Sequence, residues 1–183
     1  MTNAAIFFAD GLEEIEGLTV VDLFRRAGIP IDIVSITGQK MVTGSHNIII
    51  QADRLLEELD FDTVDMLILP GGMPGTKHLE ACEPLCRQLE QAAGQGKYVA
   101  AICAAPGVLG ELGILKGHCA VCYPGFENKL IGAVVQKVPV VVDGNIITSR
   151  GMGTAIEFAA ELIALLKDRE TAEALKKSII YNI

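Results

Sequence analysis

The chain contains no apolar run of the ~18–20 residues needed to cross a bilayer, so no membrane-spanning segment is expected. Its start, Met-Thr-Asn followed by Ala4 to Ala9, has neither a basic n-region nor a cleavage site, and an unprocessed chain is expected. There is no internal repeat and no low-complexity linker. Nor is there a basic excess: fifteen basic against twenty-three acidic residues give a net charge of −8. That charge repels phosphates and anionic lipid, so nucleic acid and membrane surfaces are excluded as partners. The five cysteines are odd in number and sit within apolar or helical patterns, away from the spacings of a secreted disulfide scaffold. A reducing, cytoplasmic setting follows.

Half of the 183 residues are hydrophobic and 21% are charged, enough apolar surface for one core, and a single domain over 1–183 is expected. Apolar runs of strand length recur at 4–9, 31–36, 48–50, 64–69, 98–102, 138–142 and 146–149. Most are continuous, the pattern of strands covered on both faces. Helical periodicity lies between them at 16–27, 84–93 and 154–167. The repeated β-α-β order predicts an α/β fold, a mainly parallel sheet sandwiched by helices. Asp143-Gly144-Asn145 between β-rich runs predicts a small antiparallel hairpin. Thr154 and Glu157 match a capping box, and Pro106 suits a first helical position.

In such a sheet, ligands gather beyond the carboxyl ends of the strands. Three candidate groups follow strands there: the acidic stretch Asp10 to Glu16, the glycine-rich Pro70 to Gly75, and Cys103-Ala104-Ala105-Pro106. Small residues around Cys103 allow a sharp strand-to-helix turn that lifts the thiol out of the sheet. A helix N-terminus beside it favours the thiolate and predicts a lowered thiol pKa. A free cysteine is equally at home buried and inert. Gly71-Gly72 with the amide of Ala104 can form an oxyanion site, or simply a tight turn. Glu16 can face the same crevice, or belong with Glu13 and Glu14 to the acidic first turn of a helix.

On these residues the chain resembles the ThiJ/PfpI superfamily, in the branch of the Parkinson-associated protein deglycase. The motifs are Asp10-Gly-x-Glu-Glu-x-Glu16, Val21-Asp22-x-x-Arg25-Arg26-Ala-Gly28, Leu69-Pro-Gly-Gly72, Ala100-Ala-Ile-Cys-Ala-x-Pro106 and Thr148-Ser-Arg-Gly-x-Gly-Thr154. The resemblance implies a flavodoxin-like homodimer with Cys103 as reactive cysteine, Glu16 against its sulfur, and the amides of Gly72 and Ala104 flanking it. It implies a cofactor-free deglycase or glyoxalase acting on small reactive carbonyls such as methylglyoxal or glyoxal and their early adducts. The oxidisable Cys103 also admits a stress sensor or a protective, chaperone-like protein without turnover. A protonated Glu16 would donate to the sulfur, and the two would titrate as a coupled pair.

The chain departs from the family in its histidines. Tyr123 stands where many relatives of this branch carry a histidine, and Ala104 stands where the intracellular protease branch has one. A cysteine peptidase or amidase needs such a base. His78 and His118 match no motif; His46 lies where relatives carry a basic residue, so with Tyr123 and Arg26 it is a pocket candidate. Cys119-x-x-Cys122 lies in an extended segment, and Cys82 and Cys86 are spaced as one turn of a helix. All four are expected to be packing residues, with no metal site.

Overall fold

A computed structural model describes residues 3–181. In chain order the elements are β1 (Ala4–Phe8), α1 (Glu14–Arg26), β2 (Ile31–Ser35), β3 (Met41–Thr43), β4 (Ile49–Gln51), β5 (Arg54–Leu55), β6 (Met66–Leu69), α2 (Gly75–Ala81) and α3 (Glu83–Gly94). They continue with β7 (Tyr98–Ile102), α4 (Pro106–Glu111), β8 (Cys119–Ala120), β9 (Val134–Val135), β10 (Val140–Asp143), β11 (Ile146–Ser149), α5 (Ala155–Leu166) and α6 (Arg169–Ser178). Among the described residues no helix is long and apolar enough to cross a membrane.

Seven strands form the main sheet in the order β10-β11-β7-β6-β1-β2-β5. All neighbours are parallel except β10 and β11, which pair antiparallel around Gly144-Asn145 as the turn residues predict. Side chains on a strand alternate between faces. Ala4, Ile6 and Phe8 of β1 therefore pack into one core with Phe24 of α1 and Phe158 of α5. Ala5 and Phe7 pack into the other, with Leu79 of α2, Leu85 of α3 and Leu109 of α4. Two cores explain why the strand runs are apolar throughout: both faces are covered. Chain order reverses direction between β1 and β6, so the crevice at their carboxyl ends is the topological switch point.

Three local expectations are corrected. The run at 48–50 does become a strand, but β4 pairs antiparallel with β3 in a separate two-stranded sheet, where its alternating exposure keeps it out of the covered main sheet. Thr154 does not cap α5; its hydroxyl accepts from Gly151 N–H at 3.2 Å, donates to the Gly151 carbonyl at 2.9 Å and meets the Ser149 hydroxyl at 2.7 Å, while Glu157 accepts from the Tyr181 hydroxyl. Cys82 and Cys86 do not share a helix. Cys82 is the non-helical joint between α2 and α3, and Cys86 lies within α3.

Candidate active site

Cys103 follows the last residue of β7 and has φ 67°, a left-handed conformation that a cysteine adopts only under constraint. The constraint is visible. Its N–H donates to the Ser149 carbonyl at the end of β11 (3.0 Å), and its carbonyl accepts from Tyr123 N–H (2.8 Å). Small buried neighbours, Ala104 and Ala105, let the chain turn before Pro106 opens α4. The result is a sharp elbow that leaves the thiol partly exposed while its backbone is fixed on both sides.

Glu16 meets this thiol from the first turn of α1. Glu13 caps that helix, its carboxylate accepting from Glu16 N–H at 2.8 Å, which sets the turn so that Glu16 points inward. The Glu16 side chain is only 1% exposed. Its Oε2 accepts from Gly71 N–H at 2.9 Å, the amide of Met152 also donates to the carboxyl, and the group hydrogen-bonds with the Cys103 side chain. Gly71 has room for hydrogen alone. A Cβ there would stand 2.6 Å from both Cys103 Cβ and Glu16 Oε2. Gly72 has φ 93°, and its amide and that of Ala104 both donate toward the Cys103 sulfur.

The electrostatics follow from this packing. Burial holds the Glu16 pKa up at about 7, with the charge of Glu13 adding to the rise and the hydrogen bonds from Cys103, Gly71 and Met152 opposing it. Burial also pushes the Cys103 thiol up, together with the charge and hydrogen bond of Glu16, to about 12, against the amides of Ala104 and Gly72. The expected lowering of the thiol by the helix terminus is therefore corrected: α4 is a single short helix, and burial beside a carboxylate outweighs it. The physical unit is the pair. It releases one proton near neutrality and holds the second far above, because two negative charges cannot share so dry a crevice.

The other sequence candidates fall at varied distances from this centre. Tyr123 reaches the rim: a Cβ on Gly151 would stand 3.2 Å from its ring and 3.9 Å from Glu16 Oε1. Its ring meets Phe126 edge-on, centroids 6.4 Å apart. Arg26 is not in the crevice. It lies ten residues beyond Glu16 on α1, about 15 Å away at 1.5 Å per residue, bridges Asp22 at 2.6 Å, and lines an outer groove of about 520 Å³ with Ile15, Leu18 and Ile48. His46 pairs with Glu14 at 2.7 Å, His78 Nδ1 sits 2.8 Å from the Asp10 carbonyl oxygen, and His118 lies 3.6 Å from Asp143. Each histidine is engaged away from the Cys103 sulfur, so no imidazole base serves it.

The remaining thiols are dispersed. Cys86 donates to the Leu79 and Glu80 carbonyls, and burial raises its pKa; burial also lifts Cys122, to about 11. Among the described residues the one group with ligand atoms within 4.8 Å of one another is Glu13, Glu14 and His46. The Glu14 oxygens are already taken, Oε1 by His46 N–H and Oε2 by His46 Nδ1 and the Ser45 hydroxyl. Burial pushes the Glu14 pKa up, but these His46 contacts overcome it and hold the carboxyl at about 2. The Met152 amide and the Glu14–His46 tie were not legible as site features, since the contacts join segments far apart in the chain.

Residues 2–165 match the DJ-1/PfpI family. The chain belongs to that family. Among its DJ-1/PfpI relatives, DJ-1 homolog B of Arabidopsis thaliana is 38% identical over 166 residues, 90% of this chain and 38% of that protein. The chain thus spans well under half the length of this plant relative. A protein of Pyrococcus abyssi named deglycase is 32% identical, covering 88% of this chain and 98% of its own length. The structure of oxidized Toxoplasma gondii DJ-1 superposes with a TM-score of 0.95 at 34% identity, covering all of both chains. The DJ-1 fold therefore accounts for the whole architecture described above.

Proposed function

We propose that the protein is a cysteine-dependent, cofactor-free deglycase of the glyoxalase type, acting on methylglyoxal, glyoxal and their early adducts. The observation that carries this reading is the buried Glu16–Cys103 pair, which holds one proton above neutrality while two amides face the sulfur. The name of the Pyrococcus abyssi relative supports the same class.

In the reactive form the proton rests on Glu16 and the charge on sulfur. The thiolate adds to the aldehyde carbon of methylglyoxal, forming the C–S bond, and the oxyanion takes the Glu16 proton to give a hemithioacetal. The amides of Gly72 and Ala104 stabilise the oxyanion as it develops. Glu16, now a carboxylate, removes the hydrogen from the former aldehyde carbon and returns it to the adjacent carbon, while the hydroxyl proton of the hemithioacetal passes to the neighbouring ketone oxygen, leaving a thioester of a hydroxy acid. Water then cleaves the thioester, releasing lactate and restoring the pair. One carbon is oxidised and its neighbour reduced, so no external oxidant or reductant enters. Glu16 alone shuttles the proton, which fits the place of Tyr123 at the rim instead of an imidazole.

Purified protein is expected to form lactate from methylglyoxal without glutathione, with Cys103→Ser and Glu16→Gln each lowering the rate by about 10²–10⁴-fold. Full activity in either variant would refute the reading. The exposed apolar side chains Ile15 of α1 and Ile48 across the outer groove from it support a homodimer. The reducing cytoplasm is the compartment in which the free thiols persist.

A second reading, a redox sensor, is favoured by the partial exposure of Cys103 beside amides able to hold sulfur-bound oxygen. Each peroxide would transfer one oxygen to sulfur and leave as water or hydroxide. Under mild peroxide, peptide mass mapping is expected to show two added oxygens first on Cys103, with Glu16→Gln altering how far oxidation proceeds. Prior oxidation of Cys82 or Cys119 would exclude it.

A further inference from the structure

The β3–β4 hairpin lies outside the main sheet, yet it is stapled to the loop that leads into α1. Thr43 N–H donates to Asp10 Oδ1, Gly11 N–H to the Thr43 carbonyl and Ser45 N–H to the Leu12 carbonyl, each at 2.8 Å. The same loop meets the glycine-rich segment: Glu13 N–H donates to the Gly71 carbonyl at 2.9 Å, and Gly75 N–H to the Gly11 carbonyl at 3.1 Å. Residues 10–13 therefore tie the hairpin to the segment that supplies the Gly71 and Gly72 amides of the site.

Glu14, the first residue of α1, strengthens this tie. It is 2% exposed, and a buried carboxylate is costly unless its oxygens are filled. The hairpin tip fills them. Oε1 accepts from His46 N–H at 2.7 Å, while Oε2 meets His46 Nδ1 at 2.7 Å and accepts from the Ser45 hydroxyl at 3.3 Å. Hydrogen bonds to an ionised acceptor are the strong kind. Gly44 completes the fit, because a Cβ there would overlap the Glu14 carboxyl. Glu16 follows two residues later, which at ~3.6 residues per turn is roughly the opposite side of the helix. One side of the first turn is thus held by the hairpin, and the other meets Cys103.

We infer that Glu14 and the hairpin tip, residues 44–46, form a clamp that fixes the rotation of the first turn of α1 and so keeps Glu16 against the Cys103 sulfur. Resting on the Glu16–Cys103 pair of the proposed function, the clamp makes Glu14 a positioning residue, not a catalytic one. The Glu13 cap winds the turn; Glu14 orients it. Without the clamp the turn rotates, Glu16 leaves the sulfur, and Cys103 titrates as an isolated thiol.

Alkylation of Cys103 by iodoacetamide across pH, followed by peptide mass mapping, tests the clamp in three variants of the full chain without requiring turnover. Glu14→Ala empties the clamp. Its Cys103 midpoint is expected to climb from about 7 to about 8 or above, toward the ordinary thiol value of about 8.5. Gly44→Ala displaces the Glu14 carboxyl while changing no charge, and its midpoint is expected to climb likewise. Glu14→Gln keeps the contacts, its amide oxygen accepting from His46 N–H and its NH2 donating to Nδ1 and to the Ser45 hydroxyl, and should keep the wild-type midpoint. Unmoved midpoints in Glu14→Ala and Gly44→Ala overturn the proposal. So do equal shifts in Glu14→Ala and Glu14→Gln, which would mean that lost charge alone acts. Gly44→Ala, in a turn outside the main sheet, decides the matter should Glu14→Ala not fold.

Turnover supplies a second arm. With methylglyoxal, kcat is expected to fall about tenfold in Glu14→Ala at unchanged KM and to recover in Glu14→Gln; equal loss in both overturns the proposal. Should wild type consume no methylglyoxal while the midpoints move as stated, the glyoxalase reading fails and the clamp stands. A wild type without a midpoint near 7 overturns the pair and the clamp together.

Discussion

Glu16→Gln should flatten the pH dependence of stability and make the protein more stable than wild type in alkaline solution. In the folded chain Glu16 keeps its proton up to about 7, whereas the unfolded chain releases it near 4.5. Between those values the unfolded state binds fewer protons, so wild-type stability falls as pH rises. The contribution is full below the unfolded value and lost on passing through the folded one. A shift of this size is worth about 3 kcal/mol at ~1.36 kcal/mol per unit. For a chain of this length that is roughly 6–12 °C in Tm. Calorimetry at about pH 4 and about pH 8 should show the variant gaining on wild type by that amount. Parallel curves would mean that Glu16 is not held protonated, and the acid would then be an ordinary helix-start glutamate.

The second large effect concerns a residue with no side chain. Gly71→Ala should lower methylglyoxal turnover by about 100-fold, the scale expected when reacting groups are displaced by ~1 Å. The added methyl would stand 2.6 Å from Cys103 Cβ and from Glu16 Oε2, and 3.0 Å from the Ile102 carbonyl. Backbone on one side and the reacting pair on the other leave it nowhere to go, so the pair must separate. Gly94→Ala, with nothing within 4 Å of the added atom, is the control and should keep wild-type turnover. Wild-type turnover in Gly71→Ala would remove the close approach from the account.

The difference between these two residues shows where the sequence is informative. Tyr98–Ile102 and Ile146–Ser149 are legible to the residue because they are short β-rich runs bounded by turn residues, with nearly every position buried. β4 is legible as a strand but not in its place, because pairing with β3 depends on a hairpin whose outward residues are exposed. α6 is amphipathic but short and mostly polar, with only Ala172 buried, so its segment reads in the sequence as a charged stretch after α5. In the site, Cys103 stands out through its small neighbours and Pro106. Glu16 does not stand out from Glu13 and Glu14 by composition, since what distinguishes it is an amide 55 residues away. Resemblance to the family motifs supplied that assignment.

The thiol pKa marks the limit of local reasoning. A helix N-terminus after the cysteine argues for a lowered value, and the two amides at the sulfur do act in that direction. Burial and the carboxylate of Glu16 act more strongly the other way, and both come from the tertiary fold. Reactivity in this protein therefore belongs to the pair, not to the cysteine. A thiolate exists near neutrality only to the extent that Glu16 keeps the shared proton.

Alkylation of Cys103 by iodoacetamide as a function of pH, followed by peptide mass mapping, tests that shared proton most directly. Because alkylation follows the thiolate fraction, the rate at Cys103 should rise through a midpoint near the Glu16 value of about 7, where the pair gives up its first proton. In Glu16→Gln that midpoint should disappear. A Cys103 rate that rises only at or above the ordinary thiol value of about 8.5, no faster than at Cys82 or Cys119, would contradict the account.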